Sequence, residues 1–334
     1  MLSSPVGVEI DFIATGGALI EVRTPDRTGH SANVVLGHAV LAAYRDQSAF
    51  LGVVCGRYAN RIAGAAFALD GVRHELHATD GTSCVHGGRR GWDKARWQVR
   101  MRRTDDADCA VLTHQSPDGD EGFPGAITAR MTYSLYRDGR FEIAYHATTT
   151  RPTVLNLTNH SYFNLAGEGC GAINDHLLHI PSTHFTPSDA QLVPTGEIAQ
   201  VAGTPFDFRH ERPIGERLNA EHPMLRAGRG YDVNYVLKTT NSAELRPAAR
   251  VRDPQSGRTL DILTTEPGFQ FYGGNMLDGT IQGKSGTRYA QYAGFCIEPH
   301  HFPDTPNRPE FPSARLDPGQ VFTSRSLYVF GVFD

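Results

Sequence analysis

The stretch ARMTYSLYRDGRFEIAYH, residues 129–146, shows most directly which kind of fold this chain adopts. From Ala129 to Tyr136, and again from Phe141 to His146, apolar residues alternate with polar ones. This is the period of a strand with one buried face. Asp138-Gly139 lies between the two runs, and Asp-Gly pairs favour the positive φ angles of tight hairpin turns. The stretch therefore predicts two antiparallel strands joined by a short turn.

Similar turn signals recur along the whole chain of 334 residues. Further Asp-Gly pairs occur at Asp70-Gly71, Asp80-Gly81, Asp118-Gly119 and Asp278-Gly279. The sequence contains no long segment with helical periodicity, and one short helical turn is predicted near Val40 to Arg45. Many short strands with frequent turns predict an all-β sandwich or barrel. No linker or repeat divides the sequence, so we expect one domain over residues 1–334.

Charge and hydropathy exclude several classes of protein. The formal net charge is −4, without a basic stripe, which argues against a nucleic-acid-binding protein. No apolar run approaches the roughly 20 residues that a membrane-spanning helix needs. The N-terminus lacks the basic start and apolar stretch of a signal peptide. The five cysteines are scattered and form no C-x-x-C pair, which is typical of a reducing compartment. We therefore expect a cytoplasmic protein that binds neither nucleic acid nor membrane.

Glu298 is the carboxylate with the most informative position. It interrupts the apolar run 294–297 and precedes Pro299, and the residue before a proline is biased toward extended geometry. Glu298 is thus expected to end a strand and to be partly buried, which would raise its pKa and its basicity. A structural glutamate paired with an arginine is the alternative, and on these residues alone it is the commoner case.

Four other polar side chains stand beside aromatic or glycine residues. His160 lies in NLTNHSYFNL, residues 156–165, and an imidazole can donate or accept a proton near neutral pH. His86 is followed by two glycines, which allow a ligand to approach closely. Asp232 precedes an apolar strand, and Gln270 alternates with aromatic residues on another. Each has a structural alternative: a core or loop histidine, a turn aspartate, or a cross-strand amide pair.

Two arginines and one histidine pair complete the candidates. Arg57 and Arg61 lie in GRYANR, residues 56–61, and each could bind a substrate hydroxyl or pair with acids on the surface. HELH, residues 74–77, lacks the four-residue histidine spacing of zinc proteases. The sequence therefore indicates no metal site.

Several segments resemble, in the same order along the chain, those of the aldose 1-epimerase family. They are GRYANRI (56–62), VHGG (85–88) with GWDK (91–94), TNHSYFNL (158–165), VPTGEI (193–198) with GTPFDF (203–208), and CIE (296–298) with HFPD (301–304). The resemblance runs from near residue 8 to the C-terminus.

The resemblance implies a large antiparallel β-sandwich with few short helices, often called a supersandwich, whose concave face binds a sugar. It implies an isomerase that interconverts the α and β anomers of free aldohexoses such as glucose and galactose, without a metal or organic cofactor. Glu298 would be the general base and His160 the general acid, with His86 near the ring oxygen. The implied hydroxyl-binding residues are Asn60, Arg61, Tyr162, Asp232 and Gln270. We expect a monomer or homodimer whose partner is a small-molecule sugar.

Four positions depart from the residues common in the family, and one of them is Gly273, which stands where Thr is common. Val233 stands where His is common, and Pro299 and His300 stand where Thr and Gln are common. These departures leave the implied catalytic groups in place and bear on which hexose is preferred.

Three other functions stay open on the sequence. A mutarotase for a phosphorylated hexose would need an extra basic cluster, because arginine forks suit phosphate best, and the matched segments contain none. A glycosidase could pair Glu298 with Asp232 across a glycosidic bond. A non-catalytic sugar-binding module would share the fold, since function belongs to the site, but it would not need both Glu298 and His160.

Overall fold

The computed structural model describes residues 1–237 and 243–334, and these residues form mostly β-strands. In chain order the strands are β1 Leu2–Ser3, β2 Glu9–Phe12, β3 Leu19–Pro25, β4 Ser31–Asn33, β5 Val54–Cys55, β6 Arg61–Ile62, β7 Ala66–Leu69, β8 Val72–Glu75, β9 Cys84–Val85, β10 Gln98–Arg103, β11 Ala107–Ser116, β12 Ile127–Tyr136, β13 Phe141–Thr149, β14 Thr153–Val154, β15 Thr158–Asn159, β16 Leu177–His179, β17 His184–Thr186, β18 Ala199–Gln200, β19 Arg212–Pro213, β20 Asp232–Val236, β21 Arg246–Arg252, β22 Arg258–Thr264, β23 Gly268–Tyr272, β24 Cys296–His300, β25 Arg315–Leu316 and β26 Phe322–Val332. The α-helix α1 spans Pro223–Gly228, and 3-10 turns span Leu41–Arg45, Ala63–Ala65, Asp120–Gly122, Ile214–Arg217 and Thr305–Asn307. The predicted all-β class is confirmed, and the short helical turn predicted near residues 40–45 is the first of the 3-10 turns.

The largest sheet is antiparallel and has nine strands, in the order β10-β11-β12-β13-β26-β22-β21-β16-β19. Its β12 and β13 are the predicted hairpin: Leu135 pairs with Phe141, and Gly139 in the turn has a φ of 85°. Alternate residues of β12 are buried, beginning with Ile127, Ala129 and Met131. β26 comes last in the chain, yet it lies in the middle of the sheet, between β13 and β22.

A second antiparallel sheet has five strands, in the order β18-β17-β20-β23-β24, and its two faces differ in character. Successive side chains of a strand point to opposite faces. One face is apolar and joins the main buried cluster through Val233, Tyr235, Phe269, Phe271 and Ile297. The other face is polar and carries Asp232, Asn234, Gln270, Glu298 and His300. The polar face lies next to β15, which contacts β24.

Two short strand pairs hold the remaining chemically active segments. β15 pairs with β5, so that Asn159 faces Val54, and the backbone N–H of His160 donates to the carbonyl of Val53 at 2.8 Å. β6 pairs with β9, which brings Arg61 opposite Val85. Each pair therefore delivers a polar segment from the first half of the chain to the polar face of the five-stranded sheet. Among the described residues, no helix has the length and apolar character to cross a membrane.

The prediction that Glu298 ends a strand is wrong. β24 continues through Pro299 to His300, and Glu298 is its central residue. β24 is the edge strand of its sheet and pairs only with β23 within it. A proline cannot donate to a ladder, but an edge strand has one side where no donor is needed. The burial of Glu298 was predicted correctly and is nearly complete, with 2% of the residue exposed.

Candidate active site

Glu298 and His160 lie side by side at the centre of the polar face. Glu298 Oε1 is 3.6 Å from His160 Nε2, and both side chains are buried. Their positions come from unrelated parts of the chain, because β24 carries Glu298 and the loop after β15 carries His160. The arrangement places a carboxylate and an imidazole within reach of one small molecule.

A row of polar side chains crosses the five-stranded sheet and ends at Glu298. Cross-strand pairing sets Thr186 opposite Asn234, Asn234 opposite Gln270, and Gln270 opposite Glu298. All four residues are buried. The sequence did not identify Asn234 as a member of this row. The residues beside it in the chain could not reveal which residues lie opposite it in the sheet. The register in which these strands pair therefore brings the four residues into one row.

Burial changes the pKa of both central groups. Desolvation raises the pKa of Glu298 well above its usual value, the negative charge of Asp232 raises it further, and Arg61 lowers it. Desolvation lowers the pKa of His160 to about 4. Burial thus disfavours the charged form of each group, as expected for sites removed from water.

Asn60 and His86 meet just beyond the β6–β9 pair. The backbone N–H of Asn60 donates to His86 Nδ1 at 3.2 Å, and the N–H of His86 donates to the carbonyl of Asn60 at 3.1 Å. Both residues have left-handed backbones, with φ of 64° and 51°. Such conformations are costly outside glycine and often accompany functional sites. Reciprocal bonding holds both residues in place.

Arg61, Asp232 and Gln270 form a charged link beside the row. Arg61 contacts Asp232 at 3.7 Å and Asp80 at 2.9 Å, and Gln270 Nε2 donates to Asp232 Oδ1 at 2.5 Å. Burial raises the pKa of Asp232, while Arg61 and the Gln270 hydrogen bond lower it. The positive charge of Arg61 therefore lies within the electrostatic reach of Asp232 and Glu298.

Contacts join all eight residues that the sequence predicted as site residues. The links run from Glu298 to His160, from His160 to His86 by ring contact at 5.2 Å, and from His86 to Asn60. They continue along the chain to Arg61, then to Asp232 and Gln270, and return to Glu298 through strand pairing. Tyr162 packs its ring 5.0 Å from that of His160. We call Asn60, Arg61, His86, His160, Tyr162, Asp232, Gln270 and Glu298 the site circuit.

Aromatic rings enclose His86 and His160. Two of these rings, those of Phe50 and Tyr272, were not identified from the sequence. The ring of Phe50 lies 4.5 Å from that of His86 and 5.9 Å from that of His160. Tyr272 lies 6.2 Å from His160. Tyr162 was predicted to bind a hydroxyl, but its own hydroxyl donates to the carbonyl of Ala49 at 2.9 Å. In this arrangement Tyr162 contributes chiefly by packing.

Two sequence candidates lie outside the site. Arg57 is a structural residue, because its buried guanidinium donates to backbone oxygens of residues 116–125, including that of Gly125 at 2.7 Å. Val233 points into the main apolar cluster, away from the polar face. Val233, which stands where a histidine is common in the family, therefore does not line the site. His300 does lie on the polar face, fully buried and two residues beyond Glu298.

His86, His160 and Glu298 have the composition of a metal site, with ligand atoms within 4.8 Å of one another. The hydrogen bonding of His86 opposes metal binding. Its Nδ1 accepts from the Asn60 N–H, so the neutral ring carries its proton on Nε2. A metal on Nε2 would move that proton to Nδ1, directly against the Asn60 donor. Ligating histidines instead keep a proton on the second nitrogen and donate it outward.

The polar face has more hydrogen-bond acceptors than donors. Glu298 Oε2, Gln270 Oε1, Asn234 Oδ1 and His300 Nε2 are buried and have no hydrogen-bond partner among the described residues. Buried polar atoms are normally satisfied, so each such atom requires an explanation. A ligand rich in hydroxyl groups would provide the missing donors.

Comparison with known proteins identifies a family. The sequence model of the aldose 1-epimerase family matches residues 1–329. Galactose mutarotase from Sus scrofa is 41% identical over 325 residues, which cover 97% of this chain and 92% of that protein. Aldose 1-epimerase from Escherichia coli K12 is 37% identical over 332 residues, which cover 98% and 94%.

Solved structures show the same fold. A GalM/aldose epimerase homologue from C. elegans superposes with a TM-score of 0.89 at 27% identity, covering 99% of this chain and 98% of that chain. Galactose 1-epimerase from Lactobacillus acidophilus gives a TM-score of 0.87 at 26% identity, covering 99% and 93%. Fold and sequence together define an isomerase that acts on carbohydrates. The chain belongs to the aldose 1-epimerase family.

Proposed function

We propose that this enzyme interconverts the α and β anomers of free aldohexoses such as glucose and galactose by opening and reclosing the sugar ring. The observation that carries the proposal is the 3.6 Å separation of Glu298 Oε1 and His160 Nε2. The hydroxyl oxygen and the ring oxygen of an anomeric centre are bonded to the same carbon. A base and an acid that act on these two oxygens must therefore be neighbours.

In the proposed reaction, Glu298 removes the proton of the anomeric hydroxyl while His160 protonates the ring oxygen. The bond between C1 and the ring oxygen breaks, and the open-chain aldehyde forms. Rotation about the C1–C2 bond presents the other face of the carbonyl, and the same proton transfers in reverse close the ring. Each positioned acid or base contributes roughly 10²–10⁴ in rate. Because the uncatalysed reaction already proceeds in water, this acceleration suffices.

The pKa shifts of the pair favour one of the two protonation states that the reaction uses. Ring opening requires Glu298 as a carboxylate and His160 as an imidazolium, whereas burial favours both neutral forms. The charged pair and the neutral pair each hold one exchangeable proton. It lies on His160 in the charged pair, before ring opening, and on Glu298 in the neutral pair, after ring opening. Strongly interacting groups titrate as a pair, so the state of one cannot be assigned alone. The neutral state is then the one that closes the ring again.

The remaining site-circuit residues, apart from Tyr162, are proposed to bind the sugar. The unpartnered acceptors of Gln270 and Glu298 face sugar hydroxyls, which are donors. Asn60, Arg61, His86 and Asp232 are proposed to bind further hydroxyls, since His86 has a ring nitrogen within 4.8 Å of a Glu298 oxygen and Arg61 contacts Asp232 at 3.7 Å. The ring of Tyr162 supports His160, and Phe50 offers an aromatic face for the C–H surface of a pyranose.

Charge at the site favours an unmodified sugar over a phosphorylated one. The site-circuit cation Arg61 is already paired with Asp232 and Asp80. Lys94, whose charge acts on His86, is paired with Asp93 at 2.6 Å. A phosphate needs cations that are free to bind it, so we propose neutral hexoses as substrates.

Polarimetry on freshly dissolved α-D-glucose and α-D-galactose tests the proposal. The enzyme is expected to speed the approach to anomeric equilibrium, and Glu298→Gln is expected to lower kcat by about 10²–10⁴ because the base is lost. Glu197→Gln removes an exposed carboxylate and serves as the control. An enzyme that accelerates no hexose, or a Glu298→Gln variant with full activity, would refute the proposal.

A further inference from the structure

Cys296 is a buried group that the proposed reaction does not use, and it touches the proposed acid. Its Sγ lies 3.5 Å from His160 Nδ1. Cys296 begins β24 and lies two residues before Glu298, so both side chains point to the polar face. One strand therefore places a thiol against one nitrogen of the imidazole and a carboxylate against the other.

The two ring nitrogens of His160 have different surroundings. Nε2 lies beside Glu298 Oε1, where the proposed proton exchange takes place. Nδ1 lies beside the thiol, whose pKa is raised well above normal by burial and then by the charge of Glu298. The thiol is therefore neutral, and its sulfur can accept a weak hydrogen bond.

The proposed reaction restricts which nitrogen can hold the permanent proton. In the ring-closing direction, Nε2 must have a free lone pair to take the proton of the incoming hydroxyl. The neutral ring must then carry its proton on Nδ1, where the Cys296 sulfur is the neighbour.

Packing fixes the plane of the ring but leaves the tautomer open. The rings of Phe50, His86, Tyr162 and Tyr272 contact His160. Ring contacts do not distinguish the nitrogens, whereas a hydrogen-bond partner on one nitrogen does. The charged or titratable groups that lie near His160 are Glu298, His86, His300, Cys296, Tyr162 and Tyr272.

We propose that Cys296 is a positioning residue that accepts a hydrogen bond from His160 Nδ1–H and so keeps Nε2 as the nitrogen that exchanges protons with the sugar. This inference rests on the proposed function for its catalytic meaning, but the tautomer can be observed without any substrate. A thiol at this position holds the ring without adding a negative charge. His160 therefore keeps the low pKa that burial gives it.

The first test measures the tautomer directly, by nitrogen-15 NMR of histidine-labelled enzyme, with the signal of His160 assigned from His160→Gln. The wild-type enzyme is expected to carry the neutral proton of His160 on Nδ1. Cys296→Ala is expected to shift the population toward the Nε2–H form that free histidine prefers. A wild-type His160 with its proton on Nε2, or an unchanged tautomer in Cys296→Ala, would overturn the proposal.

The second test uses kinetics with matched variants. Cys296→Ala is expected to lower kcat about tenfold, the cost of one hydrogen bond, with KM within about twofold because the residues proposed to bind the sugar are unchanged. Cys296→Ser, which retains an acceptor, is expected to recover at least part of the loss. Cys55→Ala removes another fully buried thiol and is expected to change neither the tautomer nor kcat.

The outcomes separate this inference from the proposed function. A wild-type enzyme that accelerates no hexose refutes the function, whatever the NMR shows. An active enzyme with the Nδ1–H tautomer, whose kcat is equal in wild type, Cys296→Ala and Cys55→Ala, refutes the role of Cys296 alone. If Cys296→Ala does not fold, Cys296→Ser and the wild-type tautomer decide.

Discussion

Arg57 and Arg61 lie four residues apart in one short segment and have opposite roles. The guanidinium of Arg57 is buried and donates to carbonyl oxygens of residues 116–125. It also donates to the hydroxyl of Ser116 at 2.7 Å. Arg61 is partly exposed and directs its charge at Asp232 and Asp80. Arg57 therefore stabilises a loop, and Arg61 belongs to the site circuit.

Exchanging each arginine for lysine should separate stability from activity. Arg57→Lys is expected to lower the free energy of unfolding by about 3 kcal/mol, because each buried carbonyl left without a donor costs ~1–3 kcal/mol. Arg61→Lys is expected to keep that free energy within about 1 kcal/mol and to lower kcat/KM about tenfold. Urea unfolding and polarimetry measure the two quantities. Equal losses of stability in both variants would contradict this division.

At the scale of single residues, the sequence indicates which side chains suit acid–base chemistry better than it indicates where each side chain lies in the fold. The residues Glu298, His160 and His86 were identified because their types suit acid–base chemistry and because their segments resemble a family. Nothing local to GRYANR distinguishes Arg57 from Arg61, since the burial of Arg57 depends on a loop about sixty residues away. Phe50 and Asn234 gave no signal of their own, because each becomes relevant only through neighbours distant in sequence.

The five-stranded sheet shows what alternation can and cannot predict about an element. Alternating aromatic residues correctly placed Gln270 on a strand, and β23 spans Gly268–Tyr272. Alternation cannot give register, because pairing partners lie far apart in the chain. The row from Thr186 to Glu298 could therefore be identified only from the structure. The predicted strand end at Glu298 was wrong for a related reason, since an edge position cannot be read from one strand.

Two loops of the site approach each other at glycine positions. A Cβ on Gly87 would lie 2.0 Å from the carbonyl oxygen of Gly56, and Gly87 has a φ of +93°. His86 is its immediate neighbour and bonds to Asn60. The close contact of the two backbones therefore helps to set the position of the His86 ring.

Gly87→Ala should cost more than the positive φ alone explains. Gly71 offers a matched control, because its φ is +77° and no atom lies within 4 Å of its Cβ position. Gly71→Ala is expected to lower the free energy of unfolding by about 1 kcal/mol, the cost of a left-handed backbone. Gly87→Ala is expected to cost at least about 3 kcal/mol and to reduce kcat/KM. Thermal unfolding and polarimetry measure both, and similar effects in the two variants would show that the close contact is unimportant.

Buried neutral histidines affect the stability of the whole molecule. His176 is buried, accepts the backbone N–H of Leu165 at 3.0 Å, and has a pKa lowered by burial to about 4. His160 and His300 also have pKa values lowered to about 4. The unfolded chain titrates its histidines near about 6.5, so between these values it binds more protons than the folded protein. The contribution of these histidines to folding stability is therefore full above about pH 6.5 and falls as the pH decreases toward 4.

His176→Gln should reduce this acid sensitivity without affecting the site circuit. Each such histidine lowers the free energy of unfolding by up to ~1.4 kcal/mol per pH unit in that window. Glutamine can still accept the Leu165 N–H but does not titrate. Urea unfolding at pH 7, 6 and 5 is expected to give a smaller slope for the variant than for the wild type. An identical slope would show that His176 is not responsible.

The position of β26 affects how the molecule can be made. This strand is the last described in the chain, yet it separates β13 from β22 in the nine-stranded sheet. The ribosome synthesises the chain from its N-terminus, so β13 and β22 emerge before β26 and each has an unpaired edge. Such edges readily pair with other chains. The two parts of the sheet join only when residues 322–332 have been synthesised. Until then the nascent protein depends on whatever protects exposed strand edges in the cell, and the complete nine-stranded sheet forms only after this strand has been synthesised.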